Sequence, residues 1–152
     1  MGRSRFFNAA CFVLVLNVAT LSGCSSPQPS SDELVKANLK AIAKAYWTVH
    51  GYHNRPPRDM DELRMTVSDL HAVDMGGPPD VVLESPRDQQ PFVIIIGAKP
   101  SAEETNTIMA YEKQGAGNSR YALTTTGKII QLSNEEFATA KFANKHKPTP
   151  GE

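Results

Sequence analysis

His50 and His53, three residues apart, with His71 and the carboxylates Asp59 and Asp61 further along, are the side chains of this sequence best suited to hold a metal ion. Histidines at that spacing can share one helix face and offer ring nitrogens to zinc. Gly51 stands between them, however, and no third ligand follows at a spacing that metal sites use. The set therefore reads as a turn carrying polar aromatics. Asp59, Asp61 and Glu62 have the types needed for paired acid–base work, yet acids in the opening turn of a helix are what the helix dipole selects. No Gly-x-Ser-x-Gly or Ser-x-x-Lys pattern prepares a serine nucleophile. Gly115 and Gly117 lack the strand-to-helix setting of a phosphate loop, and Tyr46 and Trp47 read as core and rim rather than as a ligand platform. The expectation is no catalytic residue, no cofactor and no metal.

One thiol remains. Cys24 closes the run Leu21-Ser22-Gly23-Cys24, behind a basic start (Arg3, Arg5) and an apolar stretch from Phe6 to Leu21. The apolar centre, Phe6 to Val18, has the length of a signal rather than of a spanning helix, which needs roughly 20 apolar residues. Asn8 and Asn17 weaken it further as a permanent span. Charge, apolar run, small residues and cysteine in that order resemble a bacterial lipoprotein signal peptide. The resemblance implies that residues 1–23 are removed and that Cys24 is the lipidation site, joined through sulfur to diacylglycerol and acylated at its new amino terminus. Several acyl chains, at about 0.8 kcal/mol per buried methylene, hold a protein on a bilayer where one holds it only marginally. The implied partner is membrane lipid, and the implied location is the extracytoplasmic side. Ser25 and Ser26, rather than an aspartate, favour the outer membrane or cell surface over the inner membrane.

Removing residues 1–23 from the 152 leaves 129, enough for one domain. Arg3 and Arg5 leave with the leader, and every acid lies beyond it. Of 16 basic and 16 acidic residues, 14 and 16 remain, a formal −2. That balance offers no concentrated basic face and argues against nucleic acid as a partner. The other cysteine, Cys11, sits inside the leader, so the mature domain has no disulfide and no thiol metal site, and rests on its core.

The elements follow from spacing. Residues 24–31 form a lipidated cysteine and a Ser/Pro tether. Asp32 is expected to cap a helix from Glu33 to about His50, with Leu39, Ile42, Tyr46 and Val49 as its buried stripe, Leu34, Val35 and Trp47 at the edges, and Lys36, Lys40 and Lys44 on a solvated face. Gly51 is expected to break it, before a turn at Asn54-Arg55-Pro56-Pro57. A short second helix spans Asp59 to Val67, capped by Asp59, with Leu63 and Val67 inward. Gly76 to Pro79 is a loop. Val81–Glu84 is a short strand candidate, and Pro91–Gly97, apolar on both faces, a central one. Thr107–Lys113 alternates weakly, Gly115 to Asn118 is a turn, and Arg120–Thr125 and Lys128–Leu132 flank Thr126-Gly127 as a hairpin. Ser133 and Glu136 make a capping box for a last short helix with Phe137 and Phe142 as core contacts. The domain is expected over 32–143, with a polar tail over 144–152. The layout is α+β: a long N-terminal helix packed on a small antiparallel sheet of three to four strands, then a short C-terminal helix.

These residues resemble a family. The stretch Asn38-Leu39-Lys40, Ala45-Tyr46, His50-Gly51-Tyr52, Arg55-Pro56-Pro57 and Leu63 is similar to the soluble head of type IV pilin-like proteins and type II secretion pseudopilins. Ser85 to Phe92 is similar to that family's Asp-Pro-Trp-Gly-x-Pro-Tyr segment, and Met109–Lys113 with Arg120–Ile129 resembles its final hairpin. Asp88-Gln89-Gln90 lacks the Trp-Gly pair, Thr126-Gly127 replaces Asp-Gly, and the lipobox stands where the family's long apolar helix would be. The resemblance implies a pilin-like head on a lipid anchor, working by contact with an envelope protein and without filament assembly. The alternative is an envelope small-ligand binder or enzyme with a site near His50, His53 and His71.

Overall fold

The computed structural model describes residues 28–74, 82–103 and 106–149. The leader, Cys24, the Gly76–Pro79 loop, Val81 and the side chain of His71 lie outside the described residues. The architecture is α+β, as expected. Helix α1 (Ser31–His53) is followed by helix α2 (Met60–Asp74) and by strands β1 (Val93–Ile94), β2 (Ile108–Tyr111), β3 (Ser119–Thr124) and β4 (Ile129–Ser133). A short helix α3 (Asn134–Ala138) and a 3-10 turn (Ala143–Lys145) close the chain. The strands form one antiparallel sheet in the order β1-β2-β3-β4.

Helix α1 is longer than its spacing predicts at both ends. Its cap is Ser30 rather than Asp32. The Ser30 hydroxyl accepts from Glu33 N–H at 3.3 Å, and the Glu33 carboxylate accepts from Ser30 N–H at 2.9 Å. That reciprocal pair satisfies two donors that a helix start leaves unpaired. Gly51 does not break the helix. A glycine near a helix end costs only about 1 kcal/mol, and the left-handed Asn54 (φ 52°) makes the stop by donating its N–H to His50 O at 2.8 Å. The stripe Leu39, Ile42, Tyr46 and Val49 is buried. Val35, expected at the margin, is fully buried too, while Leu34 and Trp47 stay partly exposed at 39% and 41%.

Helix α2 starts where predicted, with the Asp59 carboxylate accepting from Glu62 N–H at 2.8 Å. It runs to Asp74 instead of stopping at Val67 because Leu63, Val67 and Leu70 extend one apolar row against α1.

The sheet departs from expectation at its first strands. Of the expected strand Val81–Glu84, the described residues Val82 to Glu84 form no strand, and Glu84 makes an isolated bridge to Pro91. Pro91–Gly97 is an edge rather than a centre, with just Val93 and Ile94 paired to β2. It is apolar on both faces because both are covered. Phe92 and Ile95 pack with α1, and Val93 packs with Phe142 of the returning C-terminal segment. The central strand is β2, buried at all four positions. A bulge between Ile108 and Ala110 puts Met109 and Ala110 on the α1 side and Ile108 with Tyr111 on the other. That irregularity blurs the alternation in the sequence.

Behind the sheet, Tyr111, Phe137 and Phe142 meet edge to face at 4.9, 5.1 and 5.6 Å between ring centres. The chain continues past the expected boundary at 143. His146 Nε2 lies 3.0 Å from the Tyr111 hydroxyl, so the polar tail is tied down at least that far.

Candidate functional site

Of the residues suited to metal or acid–base work, the acids Asp59, Asp61 and Glu62 are held in caps and ion pairs. His53 is exposed, while His50 is half-buried and meets Trp47 edge-on at 6.3 Å. His50 Nδ1 is buried without a hydrogen-bond partner among the described residues. Asp59 caps α2, and Asp61 pairs with Arg64 at 3.2 Å. Glu62 is gripped by Arg55 through two bonds of 2.8 and 2.6 Å and accepts from Arg58 N–H at 2.8 Å. The Arg55 hydrogen bond first, and the Arg58 amide second, hold its carboxyl down at about 2. A carboxylate ionised over that range is a poor proton donor at neutral pH. Among the described residues no three histidines, cysteines or acids gather as a metal would require.

The most concentrated polar chemistry lies elsewhere, at a junction that residue spacing does not reveal. Glu112, directly after β2, is completely buried. Its carboxylate accepts from Ser85 Oγ at 2.6 Å, Arg87 Nη1 at 2.9 Å and Tyr121 N–H at 2.7 Å. Arg87, 7% exposed, is shared further. Its Nη2 donates to Ala116 O at 3.0 Å, its Nε lies 3.2 Å from Asp32, and its plane sits 4.8 Å from the centre of the Tyr121 ring. Tyr121 in turn donates its hydroxyl to Asp32 at 3.1 Å. Asp88 completes the clamp by accepting from Gln114 and Gly115 N–H at 2.9 and 2.8 Å.

This network ties the Ser85–Gln90 segment to the β2–β3 turn and both to the start of α1. A buried, multiply hydrogen-bonded ion pair fixes one arrangement of three elements rather than adding much stability. The Ser85 hydroxyl and the Glu112 carboxylate are both closed off from solvent. The segment Ser85-Pro86-Arg87-Asp88 carried the only signal available, a proline flanked by turn formers and an arginine. Nothing near Glu112 marks it as buried.

Surface depressions are open and shallow. One lies between α1 and α2, beside His53, Arg58, Asp59, Glu62 and Met65; another lies beside Leu34, Asn38 and Pro86. Neither converges polar groups on an enclosed volume as a small-molecule site does. Among the described residues no helix is long and apolar enough to cross a membrane. No family model, curated protein or solved structure matches the chain.

Proposed function

We propose that this chain is a lipid-anchored cell-envelope protein whose α+β head, similar to the pilin-like heads, works by contact with another protein and catalyses no reaction. The observation that carries the reading is the order Arg3, Arg5, apolar Phe6–Leu21, then Leu21-Ser22-Gly23-Cys24. Two features of the fold support it. Ser30 already caps α1, six residues past Cys24. At about 3.3–3.6 Å per extended residue, that tether reaches roughly 20 Å, so the start of α1 stays next to the bilayer. Asp59, Glu62, Ser85 and Glu112 are occupied in caps and clamps, which suits a binding surface better than an active site. Metabolic labelling tests the anchor. The wild-type chain takes up labelled palmitate and fractionates with membranes, whereas Cys24→Ser does neither. Label in the Cys24→Ser chain would overturn the reading.

A further inference from the structure

The two edges of the sheet are guarded differently. β1 offers only two paired residues, follows Pro91 and turns away at Gly97, which is how natural edges are blunted. β4 carries Ile129-Ile130-Gln131-Leu132-Ser133 in an unbroken register with β3, without proline, charge or bulge. Its hydrogen-bonding phase is fixed by two contacts. Thr124 N–H donates to Lys128 O at 2.9 Å, and Glu112 N–H donates to Tyr121 O at 3.0 Å. Alternate residues of an antiparallel strand bond to opposite sides. Lys128, Ile130 and Leu132 therefore turn toward β3, and Ile129 and Gln131 present their N–H and C=O groups outward. The open row ends at Ser133, whose N–H donates to Glu136 at 2.7 Å.

The two faces beside this edge differ in chemistry. On the α1 face, Gln131 sits opposite Tyr121, and the Lys36 ammonium stands 5.1 Å from the centre of the Tyr121 ring. Lys40 follows one helical turn along, exposed. On the other face Ile130 and Leu132 are only partly buried, against the cluster of Tyr111 and Phe137.

We propose that β4 takes up an extended segment of a second protein as a fifth strand, and that this segment alternates acidic and apolar residues. Backbone pairing with Ile129 and Gln131 supplies the attachment. The alternation of a strand sends its acids toward Lys36 and Lys40 and its apolar residues beside Ile130 and Leu132. A second copy of this chain fits less well. Two β4 edges joined antiparallel about Gln131 would bring both α1 helices onto one face, with the Lys36 and Lys40 rows side by side. The proposal rests on the head being an interaction module and names the class of segment it takes.

The test uses the full chain in detergent micelles and a short capped peptide alternating valine and glutamate. Saturable binding is expected, with amide exchange slowed at Ile129 and Gln131. A valine–lysine peptide should bind at least roughly tenfold more weakly. Gln131→Pro removes an outward N–H that no native bond uses and should abolish binding. The same valine–glutamate peptide N-methylated at alternate residues should also fail, which keeps the test decisive if Gln131→Pro does not fold. No saturation up to about 1 mM, binding undiminished by N-methylation, equal affinity for the lysine peptide, or protection of Ile129 by self-association without peptide would each overturn the proposal. Cys24→Ser should bind the peptide as the wild type does. Labelling of Cys24 and filling of the β4 edge can thus fail separately.

Discussion

Glu112→Leu is the most informative single change. The substitution removes a carboxylate with no solvent exposure and three donors within 2.6–2.9 Å, and leaves Arg87, 7% exposed, in place. Arg87 keeps Asp32 at 3.2 Å and Ala116 O at 3.0 Å, but Asp32 is half exposed and its attraction is screened. Removing one partner of a buried pair costs about 3–5 kcal/mol, because the remaining charge stays out of water. The stranded Tyr121 N–H and Ser85 hydroxyl act within that figure, since neighbouring losses in one network do not add. For a domain of this size 1 kcal/mol moves the midpoint by about 4 °C, so the melting temperature should fall by about 12–20 °C. Removing both charges, as Glu112→Leu with Arg87→Met, leaves no buried unpaired ion and should recover much of the loss. Thermal and urea unfolding followed by circular dichroism would measure both. A fall under about 4 °C for the single variant, or a double variant less stable than the single one, would refute the assignment of Glu112 as the buried partner of Arg87.

Ile42→Asp places an unpaired charge at a position with no exposure and should destabilise the domain by about 3 kcal/mol or more; an unchanged urea midpoint would mean that this face of α1 is not the core. Glu62→Gln should lower stability at neutral pH. Because the folded Glu62 carboxyl is held near about 2, below its unfolded value, its contribution is full above about pH 4.5 and fades as pH falls toward about 2. The unfolding midpoints of the wild type and Glu62→Gln should therefore converge in acid. Gly115→Ala and Gly51→Ala should act in opposite directions. At Gly115 (φ +71°) a β-carbon would stand 2.4 Å from Ser119 O, costing about 1–3 kcal/mol, whereas at Gly51 nothing lies within 4 Å and alanine should add about 0.5–1 kcal/mol. Paired melting curves of the two variants check both signs.

What was legible in the sequence was what one element decides alone. The α1 stripe, the Asp59 and Ser133 caps and the β3–β4 hairpin follow from apolar period and local hydrogen-bond chemistry, and each stands where its residues put it. What failed depended on neighbours. Pro91–Gly97 looked central because apolar residues on both faces normally mean a strand between strands; here a helix and the returning C-terminal segment provide the two covers. β2 looked weak because a bulge shifts its phase midway. The junction at Glu112 was invisible because its partners are scattered from Asp32 to Tyr121, and a lone glutamate after a strand ordinarily faces water.

The clamp at the start of α1 also sets how the molecule bears load. A pull on Ser30 first meets the capping box and then Asp32, which is cross-linked to Arg87 and Tyr121. Force entering there passes through Arg87 to Glu112 beside the central strand, instead of peeling α1 from the sheet turn by turn. Several side-chain bonds must then yield together in shear. Substituting Asp32 would change that failure to sequential unzipping, at lower force, with little change in equilibrium stability, because the Asp32 contacts are half exposed.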